Sequence, residues 1–231
     1  MKIGIIGAMD EEVSILKSAM SNVTTTKVAG CEFYQGDLNG KQVVLTKSGI
    51  GKVAAAVATT LLLEKFSPDT IINTGSAGGF DTNLNVGDIV ISTEVRFHDV
   101  DLTAFGYEIG QMAQLPPAFE ATSELIEIAQ QAAETLPNLN IAQGLICTGD
   151  IFMADPAKTE IARANFPTMM ACEMEAAAIA QVCFQFSVPF VIIRSLSDIA
   201  GKKSELSFEE FLPVAAKNAS ILVEAIVDRL N

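Results

Sequence analysis

The sequence is poor in basic residues and in histidine. It holds 15 Lys and Arg against 28 Asp and Glu in 231 residues, for a formal net charge of -13. Because surfaces that follow a nucleic-acid backbone need clustered Lys and Arg, nucleic acid is not an expected partner. His98 is the only histidine and the four cysteines lack C-x-x-C spacing, so the sequence predicts no metal site. The cysteines mostly lie in apolar stretches, which predicts buried thiols in a reducing compartment.

Long hydrophobic runs are also missing. Although 49% of the residues are apolar and the mean hydropathy is +0.35, no uninterrupted apolar run approaches the roughly 20 residues that cross a bilayer. The opening MKIGIIGAMDEEV carries acids where a signal peptide would carry a small-residue cleavage site. We therefore expect a soluble, cytoplasmic protein with no membrane partner.

Short apolar, β-branched runs alternate with helical patterns along the whole chain. Strands that are apolar at every position are typical of a sheet covered by helices on both faces, so the pattern predicts a layered α/β fold. We find no repeat or linker, which favours a single domain over residues 1–231. The predicted strands are KIGIIGA, VVLTKS, TIINTGS, DIVIS, IAQGLICT and FVIIRSLS, and the clearest helices span 51–66, 122–136 and 174–186.

Two regions depart from this rhythm. The last helix is predicted to open at Ser207, where Ser207 and Glu210 form a capping box, and Pro213 predicts a kink or a late start. The segment 102–119 is apolar without either period, and loops of that length are usually lids or binding loops. A lid or a subunit contact is about as well supported there as plain packing.

Two glycine-rich turns resemble nucleotide-binding motifs but lack essential residues. Gly4 and Gly7 give only G-x-x-G, whereas the dinucleotide turn needs G-x-G-x-x-G. In SGIGKVA, Val53 follows Gly51-Lys52 where a phosphate loop needs Ser or Thr. The sequence therefore predicts neither of these cofactor sites.

Carboxylates at strand ends are the remaining candidates for chemistry. Ligands collect at the carboxyl ends of strands in open α/β sheets, and Glu12, Ser76, Glu175 and Asp198 all follow or end predicted strands. Acids of this kind also serve as helix caps, turn caps or partners of the helix dipole. Position alone leaves both interpretations open, but together these segments could bring several carboxylates to one rim.

Six segments in register carry a family resemblance over the whole chain: GIIGAMDEE, SGIGKVAAA, NTGSAGG, VGDIV, EMEA and RSLSD. They closely resemble the 5′-methylthioadenosine/S-adenosylhomocysteine nucleosidases of the purine nucleoside phosphorylase superfamily. The resemblance implies a three-layer α/β/α fold with a central mixed sheet, no cofactor, and hydrolysis of the bond between adenine and ribose in methionine salvage. It also implies a homodimer that binds small adenine nucleosides.

The superfamily uses either phosphate or water as nucleophile. Phosphate needs cationic donors such as Arg, and the resemblance implies that phosphorylases place arginines near the first strand and before the glycine turn. Here no arginine precedes Arg96, and Asn73 stands near the second of those positions. The sequence therefore favours water. A phosphorylase and a non-catalytic nucleoside-binding domain are the alternatives.

By similarity, the acid and the base are assigned to separate carboxyl groups. The resemblance implies that Glu12 activates water, that Asp198 protonates adenine N7, and that Glu175 binds the ribose hydroxyls. An apolar setting would raise the pKa of Asp198 and keep it protonated. Arg194 is expected either to bridge Glu12 and Glu175 or to hold the water.

The resemblance also implies a wider substrate-binding set. Ser76 lies near the water or sugar, Met174 packs on the ribose, and Phe105 and Tyr107 arrive from a partner subunit to meet the thioalkyl tail. The other residues of this set, around the purine and the tail, are Gly78, Phe152, Met153, Ser197, Met9, Ile50 and Phe208. The loop 153–160 (MADPAKTE) and Pro213 depart from the family pattern, which leaves the loop beside the purine least certain.

Overall fold

The computed structural model describes residues 1–200 and 204–230. The strands are β1 (Lys2–Gly7), β2 (Ser21–Val28), β3 (Cys31–Leu38), β4 (Lys41–Lys47), β5 (Thr70–Gly79), β6 (Ile89–Phe97), β7 (Phe119–Glu120), β8 (Ile141–Thr148), β9 (Met169–Glu173) and β10 (Phe190–Ile199). The helices are α1 (Asp10–Ala19), α2 (Lys52–Phe66), α3 (Ser123–Ala133), α4 (Pro156–Asn165), α5 (Ala176–Phe186) and α6 (Ser204–Arg229).

These strands form one mixed sheet. Strand β1 lies between β4 and β5 with all three parallel, and β2 and β3 extend that side with antiparallel pairing. On the other side β5 pairs with both β10 and β9, so β5, β10, β6, β8 and β9 close into a ring. The predicted mixed sheet is confirmed, and the closure of one half is an addition that strand patterns do not reveal.

Helices cover both faces of the sheet, as predicted. One core contains Leu62 of α2 and Ile179 of α5, and the other contains Leu16 of α1 and Leu222 of α6. Neighbouring strand residues point into opposite cores, because Ile192 belongs to the first and Ile193 to the second. This alternation explains why β5 and β10 are apolar at consecutive positions.

The last helix begins earlier than predicted. It starts at Ser204 and continues through Pro213, so a late start at Pro213 is wrong and the alternative, a kink there, stays a prediction. Ser207, the predicted cap, lies inside the helix, and its hydroxyl donates to the carbonyl of Ser197 at 3.1 Å. Among residues 1–200 and 204–230, no helix is both long and apolar enough to cross a membrane.

The sheet brings the ends of three strands to one edge. Parallel pairing of β1 with β5 and of β5 with β10 puts their carboxyl ends side by side. Helix α1 begins directly after β1, and β9 meets the end of β5 through the pairing of Gly78 with Cys172. All four predicted strand-end segments, three of which carry carboxylates, therefore reach the same rim.

Candidate active site

A cleft of about 200 Å³ opens at this rim. It receives residues from α1, β5, β9, β10 and the first turns of α6, together with the loops that follow β4 and β8. Its lining is Ala8, Met9, Glu12, Ile50, Ser76, Ala77, Gly78, Phe152, Glu173, Met174, Glu175, Ser197, Asp198 and Phe208. Eleven of the predicted site residues, which are scattered along the chain, therefore meet here, and Arg194 lies beneath them.

Glu12 is held rigidly at the floor of the cleft. It is the third residue of α1, 2% exposed, whereas its neighbour Glu11 is exposed. One carboxylate oxygen accepts the Ala8 and Met9 N–H groups at 2.8 and 3.2 Å, and the other accepts the Ser76 N–H and hydroxyl at 2.9 and 3.0 Å. Because these partners donate, the arrangement suits a carboxylate that accepts protons and points into the cleft.

Arg194 organises the opposite side of the floor. Its Nη2 ion-pairs with Glu173, lies 3.4 Å from Glu175 Oε2, and donates to Asn73 Oδ1 at 2.8 Å. Its Nη1 donates to the Ser76 carbonyl at 3.2 Å. The bridge runs from Glu173 to Glu175, and not from Glu12 to Glu175 as one of the sequence alternatives held.

Glu173 and Glu175 share one side of the cleft but have different surroundings. Glu173 also accepts the backbone N–H groups of Glu175 and Ala176, each at 2.9 Å, and a bond from the Thr148 hydroxyl. Glu175 accepts the Gly51 N–H at 2.9 Å. Burial, followed by repulsion from Glu173, raises the pKa of Glu175 to about 8, although Arg194 and the Gly51 N–H act in the opposite direction. Of the two, Glu175 therefore accepts fewer hydrogen bonds from the protein and is more open to a new donor.

Asp198 stands on the side of the cleft formed by β10. It is 3% exposed, and its Oδ1 accepts the Ser197 hydroxyl at 3.0 Å. A register shift between Leu196 and Asp198 turns this carboxyl group toward Gly78 of β5. A Cβ at position 78 would lie 3.1 Å from Asp198 Oδ2, so glycine leaves the room that this carboxyl group occupies.

Apolar side chains form the mouth and walls. Phe152 and Phe208 meet edge to face with ring centroids 5.8 Å apart, and Phe152 is 42% exposed. Met9, Ile50 and Met174 complete this surface. A flat aromatic ligand that carries an apolar tail fits such walls, with carboxylates available for its polar atoms.

Besides Arg194, three predicted residues lie outside the cleft lining. Met153 is buried in a separate core cluster with Phe80 and Cys172. Phe105 ends a single 3-10 turn and is 79% exposed, and Tyr107 lies two residues beyond it. The interpretation that Phe105 and Tyr107 reach the cleft of a second copy stays a prediction.

Sequence reasoning missed Glu173 as a member of the site. The motif Glu173-Met174-Glu175 contains the signal, because two acids flanking one residue at a strand end point to the same region. It missed the structural role of Asn73 as well, whose amide donates to the Ile6 carbonyl at 2.8 Å while its oxygen holds Arg194. Within the described part of the chain, no group of His, Cys, Asp and Glu is arranged to hold a metal ion.

Comparisons with known proteins agree with this geometry. A family model described as "Phosphorylase superfamily" matches residues 2–228. The chain is 81% identical over 231 residues, all of both sequences, to a 5′-methylthioadenosine/S-adenosylhomocysteine nucleosidase of Psychromonas ingrahamii. It is 63% identical over 230 residues to a protein of the same name from Tolumonas auensis, again with full coverage of both.

Solved structures give the same result. The nucleosidase of Colwellia psychrerythraea 34H in complex with adenine has a TM-score of 0.97 and 56% identity, covering 98% of this chain and 94% of that one. The enzyme of Neisseria meningitidis in complex with methylthio-immucillin-A has a TM-score of 0.98 and 48% identity, covering 99% of each chain.

Proposed function

Because the chain belongs to the 5′-methylthioadenosine/S-adenosylhomocysteine nucleosidase family of the phosphorylase superfamily, we propose that it hydrolyses the N-glycosidic bond of these two nucleosides. The products are adenine and the 5-substituted ribose, and the reaction serves methionine salvage. We include 5′-deoxyadenosine as a further substrate. The observation that carries the proposal is the meeting of Glu12, Glu175 and Asp198 in one cleft.

Two carboxyl groups divide the proton transfers. Asp198 gives a proton to adenine N7 as the bond between C1′ and N9 breaks and its electron pair moves into the purine. Water attacks C1′ from the other side, and Glu12 takes its proton. An amine-like leaving group and a neutral nucleophile both need such assistance, which typically contributes about a hundredfold to ten-thousandfold each.

Glu175 orients the sugar. In its ionised form, its carboxylate accepts hydrogen bonds from the ribose hydroxyls, and its negative charge favours the oxocarbenium character of the transition state. Arg194 contacts no substrate in this scheme. It holds Glu173 and Glu175 together, which supports its role as a positioning residue.

The charge balance of the cleft favours water over phosphate. Four carboxyl groups line or floor it, and Arg194 is the cation that contacts two of them. Each of its Nη atoms already donates to protein oxygens. A phosphate dianion would meet repulsion from these carboxylates while Arg194 is already paired with two of them, whereas a neutral water would not.

The walls separate two parts of the substrate. Phe152, Ser197 and Gly78 surround the purine, with Met153 contributing through the backbone of its loop. Met174 packs on the ribose and Ser76 binds near the reacting water. Met9, Ile50 and Phe208 face the thioalkyl tail.

We further propose a homodimer in which Phe105 and Tyr107 of one protomer complete the tail site of the other. Support comes from exposed apolar side chains: Val53, 76% exposed, and Met112, 44% exposed, line one surface groove, and Phe105 is 79% exposed. Surfaces of this kind mark protein contacts more often than they remain in water. The cytoplasm suits four cysteines that are all free and buried, and the continuous sheet supports a single domain.

Incubation with methylthioadenosine in the presence and absence of phosphate tests the reaction. We expect adenine and free methylthioribose at equal rates in both buffers. A ribose 1-phosphate product that requires phosphate would assign a phosphorylase instead. Tight binding of methylthioadenosine without formation of any product would indicate a non-catalytic nucleoside-binding domain.

A further inference from the structure

The first turn of α2 is held by carboxylates from other parts of the chain. The residue before this helix is Gly51, which has no side chain to cap the helix. The first N–H groups of any helix need outside acceptors. Here Glu175 Oε1 accepts the Gly51 N–H at 2.9 Å, and Asp150 Oδ1 accepts the Lys52 N–H at 2.8 Å. One turn therefore joins a carboxylate inside the cleft to a carboxylate beside it.

Asp150 is itself fixed in place. Asp99 accepts the Asp150 N–H at 3.0 Å and the Lys52 ammonium at 2.6 Å, and that ammonium lies 3.9 Å from Asp150 Oδ2. Gly51 has a φ of +94°, which favours glycine, and a Cβ there would lie 3.0 Å from Asp150 Oδ1. The Asp150 carboxylate thus lies against Gly51 and binds the N–H of the residue that follows it, while the N–H of Gly51 itself faces Glu175.

We propose that Asp150 is a positioning residue that, by capping α2 at Lys52, holds the Gly51 N–H against Glu175 and so orients the carboxylate that binds ribose. The expected effect on catalysis rests on the proposed function, whereas the hydrogen bonds from Gly51 and Lys52 do not. Substituting Asp150 should release the first turn of α2 and weaken the bond from Gly51. The effect should reach Glu175 without any direct contact between the two side chains.

The pH at which Glu175 ionises is a measure of whether the Gly51 N–H still binds it. The charged groups that face it are Glu173 of β9, Arg194 of β10 and Glu12 of α1, with Asp198 in the same cleft. Arg194 and the Gly51 N–H stabilise its ionised form, while burial and the two other glutamates oppose ionisation. Loss of the Gly51 bond therefore moves the titration of Glu175 to higher pH.

Three variants separate positioning from general stability. Asp150→Ala removes the cap, while Asp150→Asn keeps an oxygen that can accept the Lys52 N–H, since Asn caps helices about as well as Asp. Asp155→Ala is the matched control, because Asp155 caps α4 in the same way, accepting the Ala157 N–H at 2.9 Å. It removes a cap of the same type from the same loop region without touching α2.

The measurement is a carbon-13 NMR titration of glutamate carboxyl groups in the free protein, with the Glu175 signal identified by its loss in Glu175→Gln. We expect Asp150→Ala to raise the Glu175 midpoint by roughly half a pH unit to one unit, as for one lost hydrogen bond. Asp150→Asn should restore the wild-type midpoint, and Asp155→Ala should keep it. Equal midpoints in Asp150→Ala and Asp155→Ala would overturn the proposal.

Kinetics with methylthioadenosine form the second arm. Asp150→Ala should lower kcat/KM about threefold to tenfold relative to wild type, with recovery in Asp150→Asn. A wild-type protein that releases no adenine would refute the proposed function, while the titration would still decide the positioning role. If Asp150→Ala fails to fold, Asp99→Ala removes the acceptor of the Asp150 N–H and should shift the midpoint in the same direction by less; an unchanged midpoint there would overturn the proposal.

Discussion

Replacing Glu175 by Gln should stabilise the protein relative to wild type, and this difference in the free energy of unfolding should grow as the pH rises. Burial and Glu173 raise the pKa of Glu175 from 4.5 to about 8. Below about pH 4.5 the group is protonated in both the folded and the unfolded state and adds no pH dependence. Between the two pKa values unfolding releases a proton, so the free energy of unfolding falls with pH; above about pH 8 the full penalty is present.

The magnitude follows from the size of the shift. At about 1.4 kcal/mol per pKa unit, the rise to about 8 sets an upper limit on the order of 5 kcal/mol. Gln cannot ionise, so the variant escapes this penalty. Its stability relative to wild type should grow by up to about 1.4 kcal/mol per pH unit between about pH 5 and about pH 8, then level off.

Urea unfolding of both proteins at fixed concentration, from about pH 5 to about pH 9, measures this difference. Groups that titrate alike in the two proteins cancel in the comparison. Glu32→Gln is the control: hydrogen bonds from Tyr34 and Lys27 lower the pKa of Glu32. Its titration is therefore complete in the folded and in the unfolded protein near the acid end of this range, and the stability difference between wild type and that variant should stay flat from about pH 6 to about pH 9. A stability difference for Glu175→Gln that stays flat with pH would show that Arg194 keeps Glu175 ionised throughout.

Three further predictions concern the cleft and the dimer. Asp198→Asn and Glu12→Gln should each lower the single-turnover rate about a hundredfold to ten-thousandfold while calorimetry still detects binding of the nucleoside; near-normal turnover would move the acid or the base elsewhere. Gly78→Ala places a Cβ 3.1 Å from Asp198 Oδ2 and should lower kcat about tenfold at unchanged fold, as judged by circular dichroism; an unchanged kcat would show that the acid tolerates displacement. Val53→Asp and Phe105→Asp should convert a dimer of about 49 kDa, twice 24.5 kDa, into monomers with lower activity in sedimentation and rate assays; a fully active monomeric wild type would refute the shared site.

The sequence predicts the central strands because they leave a strong local signal, whereas the site carboxylates are singled out by their positions at strand ends together with the family resemblance. Ile71 and Ile72 are both fully buried in opposite cores, so the strand is apolar at every position. Strand β2, at the edge of the sheet, gives no such signal. Its sequence is SNVTTTKV and it is mostly exposed, so it has no buried face that would show as a pattern of apolar residues. The ring closure depends on pairing between β5 and β9, whose contact residues are far apart in the sequence.

The different roles of Glu173 and Glu175 could not be predicted from the sequence. Both are acids next to one strand end, and nothing local distinguishes them. Arg194 lies closer to Glu173, and the first N–H groups of α5 turn toward the same carboxylate. The weaker partner, Glu175, is left to face the cleft, and that asymmetry comes from packing between β9, β10 and α5.

The same asymmetry connects stability with function. A buried carboxylate with a raised pKa costs free energy of folding, and evolution retains such costs where a charge is needed during a reaction. The pKa of Glu175 is raised because Arg194 lies closer to Glu173 than to Glu175. The Gly51 N–H supplies a single compensating hydrogen bond to Glu175. In the proposed reaction, positive charge develops on the ribose beside this carboxylate. That charge stabilises the ionised form of Glu175 in the transition state, whereas the free protein has no such charge there. A substitution that stabilises the fold at high pH and slows the reaction is what this arrangement requires of Glu175→Gln, whereas a purely structural acid would lose both stability and rate.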